Sequence, residues 1–184
     1  MVLIGGSAGS LEAILQLVPA LPGDASVVYV LIVHRRNDAD SILERLLSTR
    51  TTMTVSEVED KDPILPDQIY IAPPGYHLLI EDDSSFSLDG SEKIHYSRPS
   101  IDVCFESAAQ VFGDRTIGIL LSGANEDGVV GLQRIVEAGG LALVQDPQTA
   151  EFPLMPAKAV EKVKEAVVGD IEGLVGVLKK ELFV

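Results

Sequence analysis

The sequence predicts an α/β domain: a doubly wound, largely parallel sheet flanked by helices, with an antiparallel hairpin excursion around residues 76–96. Apolar runs of strand length alternate with stretches of helical period from one end of the chain to the other, and most runs close in turns rich in Gly, Pro, Ser or Asn. The alternation breaks in one place. Between Tyr76 and Tyr96, Leu78-Leu79-Ile80 and Phe86-Ser87-Leu88 flank Asp82-Asp83-Ser84-Ser85, a hairpin pattern.

Taken in order, Met1–Gly5 reads as a short buried strand, and Gly5-Gly6-Ser7-Ala8-Gly9 turns it into a helix over Ser10–Val18. Val27–Val33 is a second strand, nearly all apolar as a strand covered on both faces must be, and Ala39–Thr49 is the helix after it. Further strands are expected at Met53–Glu57, Gln68–Ala72, Thr116–Ser122, Leu141–Gln145 and Glu165–Val168. The remaining helices are expected at Ser100–Phe112, Asp127–Ala138, Met155–Lys162 and Ile171–Phe183. No internal repeat, low-complexity tract or linker interrupts the 184 residues, which predicts one domain over 1–184.

Composition narrows the function. A net charge of −14 argues against nucleic acid and against an anionic membrane surface, because both need positive charge to offset phosphate. No apolar run approaches the roughly 20 residues that span a bilayer, and the N-terminus has no signal-peptide pattern, so the expected compartment is the cytoplasm. The single cysteine, Cys104, falls on the apolar face of a helix and reads as a buried, inert thiol.

Sites in open parallel sheets form beyond the carboxyl ends of strands. Ser7 occupies such a position in a strand-to-helix turn with the spacing of G-x-S-x-G, where small neighbours allow close approach and unpaired helix-start amides can stabilise an oxyanion. A serine hydroxyl needs a base, and the base needs a partner. His34 directly follows the second strand and so shares the edge of Ser7; His77, after Pro73-Pro74-Gly75, could line the same cleft, and His95 lies near the end of the hairpin region. Asp127, in the glycine-rich loop after Thr116–Ser122, is the candidate orienting acid, though Asp there also suits a simple helix cap; Asp146 at another strand end competes for the role. The Rossmann pattern fails at its second and third glycines, the Walker Gly-Lys-Ser/Thr is missing, and no zinc spacing occurs, so neither a metal nor a cofactor is expected.

The same motifs resemble the catalytic domain of the chemotaxis protein-glutamate methylesterases (CheB type). The resemblance runs through Ile4-Gly5-Gly6-Ser7-Ala8-Gly9, Val33-His34, Tyr70-Ile71-Ala72-Pro73-Pro74-Gly75-Tyr76-His77, Arg98-Pro99-Ser100-Ile101-Asp102, Leu121-Ser122-Gly123 with Asp127-Gly128, Gln145-Asp146-Pro147 and Met155-Pro156-Ala157. It implies Ser7 as nucleophile, His34 as general base and Asp127 as orienting acid. The implied reaction is hydrolysis of glutamate methyl esters on the cytoplasmic helices of chemoreceptors, with glutamine deamidation in some members. The chain departs from the family in Gly123-Ala124-Asn125-Glu126-Asp127-Gly128, where Gly-Met-Gly-x-Asp-Gly is common, and in Ala8-Gly9-Ser10, where Thr-Gly-Gly or Ala-Gly-Gly is common. Oxyanion stabilisation then falls to backbone amides around Ala8, Gly9 and Ala124. After His34 stand Arg35 and Arg36, which with His77 are candidate docking residues for an acidic receptor surface. The receiver domain usual in the family does not precede Ser7 here, which implies control by a separate regulatory partner. The contrasting expectation is a catalytically degenerate binding or scaffold module of the same fold; a small-molecule esterase is a third.

Overall fold

The structure, a computed structural model, describes residues 1–23, 26–35 and 42–182. Seven strands form one fully parallel sheet: β1 (Val2–Gly6), β2 (Val28–Val33), β3 (Thr54–Glu57), β4 (Gln68–Ile71), β7 (Ile117–Leu120), β8 (Leu141–Gln145) and β9 (Val167–Gly169). Their order is β3-β4-β2-β1-β7-β8-β9. β5 (His77–Ile80) and β6 (Phe86–Asp89) pair antiparallel as a separate ribbon. The expected fold class, including the hairpin, is the observed one.

Among the described residues six α-helices cover the sheet: α1 (Ser10–Leu17), α2 (Ile42–Ser48), α3 (Ile101–Phe112), α4 (Val129–Glu137), α5 (Leu154–Lys162) and α6 (Ile171–Leu182). Alternate strand residues separate two cores, as the period of two requires. Val2, Ile4, Tyr29, Leu31, Ile119 and Leu143 pack with α1, α2 and α6. Leu3, Val30, Ile32, Leu120 and Val144 pack with α3, α4, α5 and the ribbon. Phe86 pins the ribbon to β4 through an edge-on contact with Tyr70, 4.8 Å between ring centres, and Ser107 on α3 accepts from the Ile80 amide at 3.1 Å. These anchors fix the stretch that follows the ribbon, which borders the site. Cys104 is fully buried in α3, and burial pushes its thiol well above the ordinary range, so it is inert there.

β1 is the topological switch point, with β2 on one side and β7 on the other. Ser7, His34 and the loop carrying Asp127 therefore leave three adjacent strands at one edge. α4 begins at Val129, two residues later than the sequence predicts, because Gly128 takes a left-handed φ of 92° and Asp127 turns its side chain elsewhere. A Cβ at Gly128 would also lie 2.6 Å from Leu120 Cδ1 and 2.7 Å from Ile101 Cγ2. The expected start at Ala39 of one helix and the expected end at Phe183 of another fall outside the described residues.

Candidate active site

Main-chain bonds set the two reacting groups side by side. The Ser7 amide donates to Ser122 O at 2.9 Å, and the His34 amide donates to Gly6 O at 3.1 Å, so each residue is held by the neighbouring strand end. Ser10 then closes the turn, its amide and its hydroxyl both donating to Ser7 O at 3.1 and 2.7 Å. Gly9 makes the turn possible. Its φ of +72° suits glycine, and an added Cβ would meet Glu151, Ser122 and Phe152 at under 3 Å.

His34 bridges the other two side chains. Its Nδ1 lies 3.1 Å from Ser7 Oγ and its Nε2 lies 2.7 Å from Asp127 Oδ2. An ionised Asp127 only accepts, so Nε2 carries the proton and Nδ1 presents its lone pair to the serine. The ring is thus used the opposite way round from the chymotrypsin arrangement, where Nε2 faces the nucleophile. His34 is mostly buried, its side chain 11% exposed.

Asp127 is fully buried and accepts four hydrogen bonds. Besides His34, Oδ2 takes the Ile101 amide at 2.7 Å, while Oδ1 takes Ser100 Oγ at 2.8 Å and the Asp102 amide at 3.1 Å. Ile101 and Asp102 are the first two residues of α3, whose amides have no partner within the helix. Asp127 therefore caps α3 from a distant loop and does not cap its own helix, correcting the simple-cap expectation. Burial disfavours its charge, but the bonds from His34, Ile101 and Asp102 and the neighbouring imidazole outweigh it, holding the carboxyl below its ordinary range. Asn125 holds the loop in turn, its side-chain oxygen accepting the Asp127 amide at 3.2 Å. This gives the departure at Asn125 a local role, an Asx-type turn.

Asp102, next along α3, is pushed the other way. Burial raises its carboxyl to about 6 against the 2.7 Å bond from the Gly131 amide, and the Asp127 charge adds to the rise. A folded value above the unfolded 3.8 means stability is full below pH 4 and lost as pH climbs through 6. Asp102→Asn keeps an acceptor for Gly131 and removes the charge. It should raise stability at pH 7–8, on the order of 2 kcal/mol, with the gain fading by pH 4, as urea unfolding at several pH values will measure.

The remaining sequence candidates separate clearly. The amides of Ala8, Gly9 and Ala124 donate to nothing among the described residues, so they are free for an oxyanion. Asp146 stays away from His34; its Oδ1 accepts the Gln148 amide at 2.9 Å within its own turn. His77 does not line the cleft. It is 1% exposed, with Nε2 donating to Glu92 O at 2.9 Å and Nδ1 accepting the Ser100 amide at 3.1 Å, so both nitrogens are used and its docking expectation is withdrawn. Arg35 is no solvated arginine. Its guanidinium pairs with Glu57 and reaches Ala72 O at 3.3 Å, tying β2 to the ends of β3 and β4. Arg36 lies outside the described residues. Among the described residues no cluster of His, Cys, Asp and Glu could hold a metal ion, and no helix is long and apolar enough to cross a membrane.

One participant escaped the sequence reading. Ser97 Oγ also lies 3.1 Å from His34 Nδ1, so two hydroxyls converge on the same nitrogen. Ser97 stands on the stretch after the ribbon, at the wall of a cavity of about 440 Å³ that opens beside His34 and is lined also by Arg35, Gly75, Lys93, Tyr96 and Arg98. Nothing in its local pattern marks it. Sixty-three residues separate Ser97 from His34, and only the folding of the ribbon onto α3 brings it there.

A family model described as CheB methylesterase matches residues 2–178. The chain belongs to the CheB methylesterase family. Its fold superposes on the crystal structure of the Thermotoga maritima CheB methylesterase catalytic domain with a TM-score of 0.92 at 28% identity, covering 98% of this chain and 97% of that one. A Leptospira interrogans protein provisionally named protein-glutamate methylesterase/protein-glutamine glutaminase is 45% identical over 160 residues, 87% of this chain and 83% of that protein. The protein-glutamate methylesterase/protein-glutamine glutaminase of Symbiobacterium thermophilum is 33% identical over 88% of this chain and 44% of its own length. The protein-glutamate methylesterase FrzG of Myxococcus xanthus is also 33% identical, over 87% and 48%. Against these last two CheB relatives the chain spans about half of their length.

Proposed function

We propose that the protein is a serine esterase that hydrolyses glutamate methyl esters on methylated chemoreceptor proteins in the cytoplasm, with Ser7, His34 and Asp127 in the roles of nucleophile, base and orienting acid. The observation that carries this is the unbroken contact from Ser7 Oγ through His34 to the buried Asp127, at 3.1 and 2.7 Å. Membership of the CheB methylesterase family names the bond to be cut.

Ser7 Oγ attacks the ester carbonyl while its proton passes to His34 Nδ1, and the free amides of Ala8, Gly9 and Ala124 are the candidates to hold the oxyanion. The imidazolium that forms stays next to the Asp127 carboxylate, and its Nδ1 proton then goes to the departing methoxide oxygen, releasing methanol. Water replaces methanol against the freed Nδ1, gives up its proton there as it attacks the acyl carbonyl, and that proton then passes to the departing Ser7 Oγ, restoring the serine and releasing a glutamate side chain that ionises to the carboxylate. An amide carbonyl can enter by the same route and release ammonia, which accounts for glutaminase as a second activity. Every side chain the reaction needs is present and in contact, so a degenerate module has no observation in its favour.

Methanol release from a methylated chemoreceptor fragment, with Ser7→Ala as the control, tests this reading: release by the native chain alone supports it, and equal or absent release in both overturns it. Arg35 is proposed to serve docking as well as structure. Arg35→Ala should lower kcat/KM on every ester, because it frees the β2 end beside His34, with a further loss of roughly tenfold on the receptor fragment relative to a small neutral ester. Parallel losses on the two substrates would remove the docking role.

A further inference from the structure

The cavity beside His34 is cationic in a chain whose net charge is −14. Three of its lining residues are Arg35, Lys93 and Arg98, and among the described residues no Asp or Glu lines it. Arg35 gives its charge to Glu57, but Arg98 and Lys93 form ion pairs with no carboxylate among the described residues. The Arg98 guanidinium is instead positioned by main-chain carbonyls, Nη1 donating to Gly90 O at 2.7 Å and to Ser91 O, and its Nε is buried without an acceptor. Nη2 makes no hydrogen bond among the described residues, so a guanidinium fixed through Nη1 keeps a donor for a planar anion.

The backbone beside it is strained. Ile94 and Ser97 exchange main-chain hydrogen bonds at 3.1 and 2.8 Å around a two-residue tip, His95 and Tyr96, with φ of 48° and 62°. Such a tip normally takes Gly or Asn, and holding two larger residues left-handed costs about 1–3 kcal/mol each. The strain displays Tyr96 at the rim of the cavity, 96% exposed. An aromatic presented on a short fixed turn loses little entropy when a partner covers it.

We propose that this cavity is a carboxylate subsite for the substrate protein: it takes a free glutamate or aspartate side chain close to the esterified residue, with Arg98 and Lys93 supplying charge and Tyr96 packing over the stem. The proposal rests on the esterase reading only for which residue enters the neighbouring site. The ester is neutral, so the charge that selects one ester over another must come from its surroundings. An acidic neighbour is what this cavity would select.

The test uses Ser7→Ala, which binds without turnover, and a set of helical peptides. Each carries one glutamate methyl ester and one free glutamate, three or four residues before or after it, where side chains share a helix face. Each has a twin with glutamine at that position. At least one glutamate peptide should bind about tenfold tighter than its twin, a difference of about 1.4 kcal/mol, and adding Arg98→Gln with Lys93→Gln should reduce the ratio to within twofold. Because Arg98 also holds Gly90 and Ser91, Lys93→Glu is the second variant: it should shift the preference toward a peptide with lysine in place of glutamate. Equal binding of every pair, or a ratio that survives both variants, overturns the subsite. If the ratio behaves as expected while native protein releases no methanol, the subsite stands and the esterase reading falls. Methanol release with equal binding of the twins overturns the subsite and leaves the esterase reading standing.

Discussion

Replacing Ser7 or His34 with Ala is expected to lower kcat for ester hydrolysis by roughly four or more orders of magnitude, since the attack needs both the hydroxyl and the base and each alone leaves the unit idle. The two losses should not add. Ser7→Ala followed by His34→Ala should cost scarcely more than either change, because both remove one proton-transfer event. Stability separates the two variants. Among the described residues the Ser7 side chain hydrogen-bonds only to the His34 ring, so Ser7→Ala should unfold within about 0.5 kcal/mol of the native chain. His34→Ala takes one of four partners from a buried carboxylate and should cost about 1–3 kcal/mol. Steady-state kinetics with urea unfolding on the same preparations checks both. Rates within tenfold of native for either variant contradict the assignment.

Asp127→Asn should damage activity and stability together. The amide nitrogen would replace an oxygen that accepts from His34 Nε2 and Ile101 N, or one that accepts from Ser100 Oγ and Asp102 N, and in either orientation donors would face donors in a fully buried place. His34 would escape by moving its proton to Nδ1, which closes the lone pair that Ser7 needs. A fall in kcat of about 10³–10⁴-fold is expected with a stability loss of about 2–4 kcal/mol. The sign of the pH effect follows from the direction of the shift. A carboxyl held below its ordinary range stabilises the fold above the unfolded value near 3.8 and loses that contribution as pH falls through the lower folded value. The native chain should therefore outlast Asp127→Asn by most at neutral pH and by least in acid. Asp102, one bond away, should show the reverse trend.

What could be read from the chain depended on how each residue reaches the site. Ser7, His34 and Asp127 each follow a strand of the parallel sheet, and strand ends are legible because apolar runs stop abruptly at polar or glycine-rich turns. The order of strands is not written in any run, yet β2-β1-β7 adjacency is what turns three separate strand ends into one site. Residues whose role comes from contact across the fold were misread or missed. His77 looked like a cleft residue after a Pro-Pro-Gly turn, but the start of α3 lies over it and takes its Nδ1. Arg35 was legible only as a docking residue, and its structural tie was missed because Glu57 reaches it only through the parallel placement of β3. Ser97 carries no signal at all, since its approach to His34 requires the ribbon to be docked on α3.

The most direct measurement is of the covalent intermediate. Native protein mixed with a methylated chemoreceptor peptide and quenched in acid within one turnover should carry, on the fragment containing Ser7, the mass of the peptide less methanol. His34→Ala treated in the same way should carry none. Methanol released at the native rate by Ser7→Ala, or an adduct mapped to Ser97 or to any residue other than Ser7, would contradict the account.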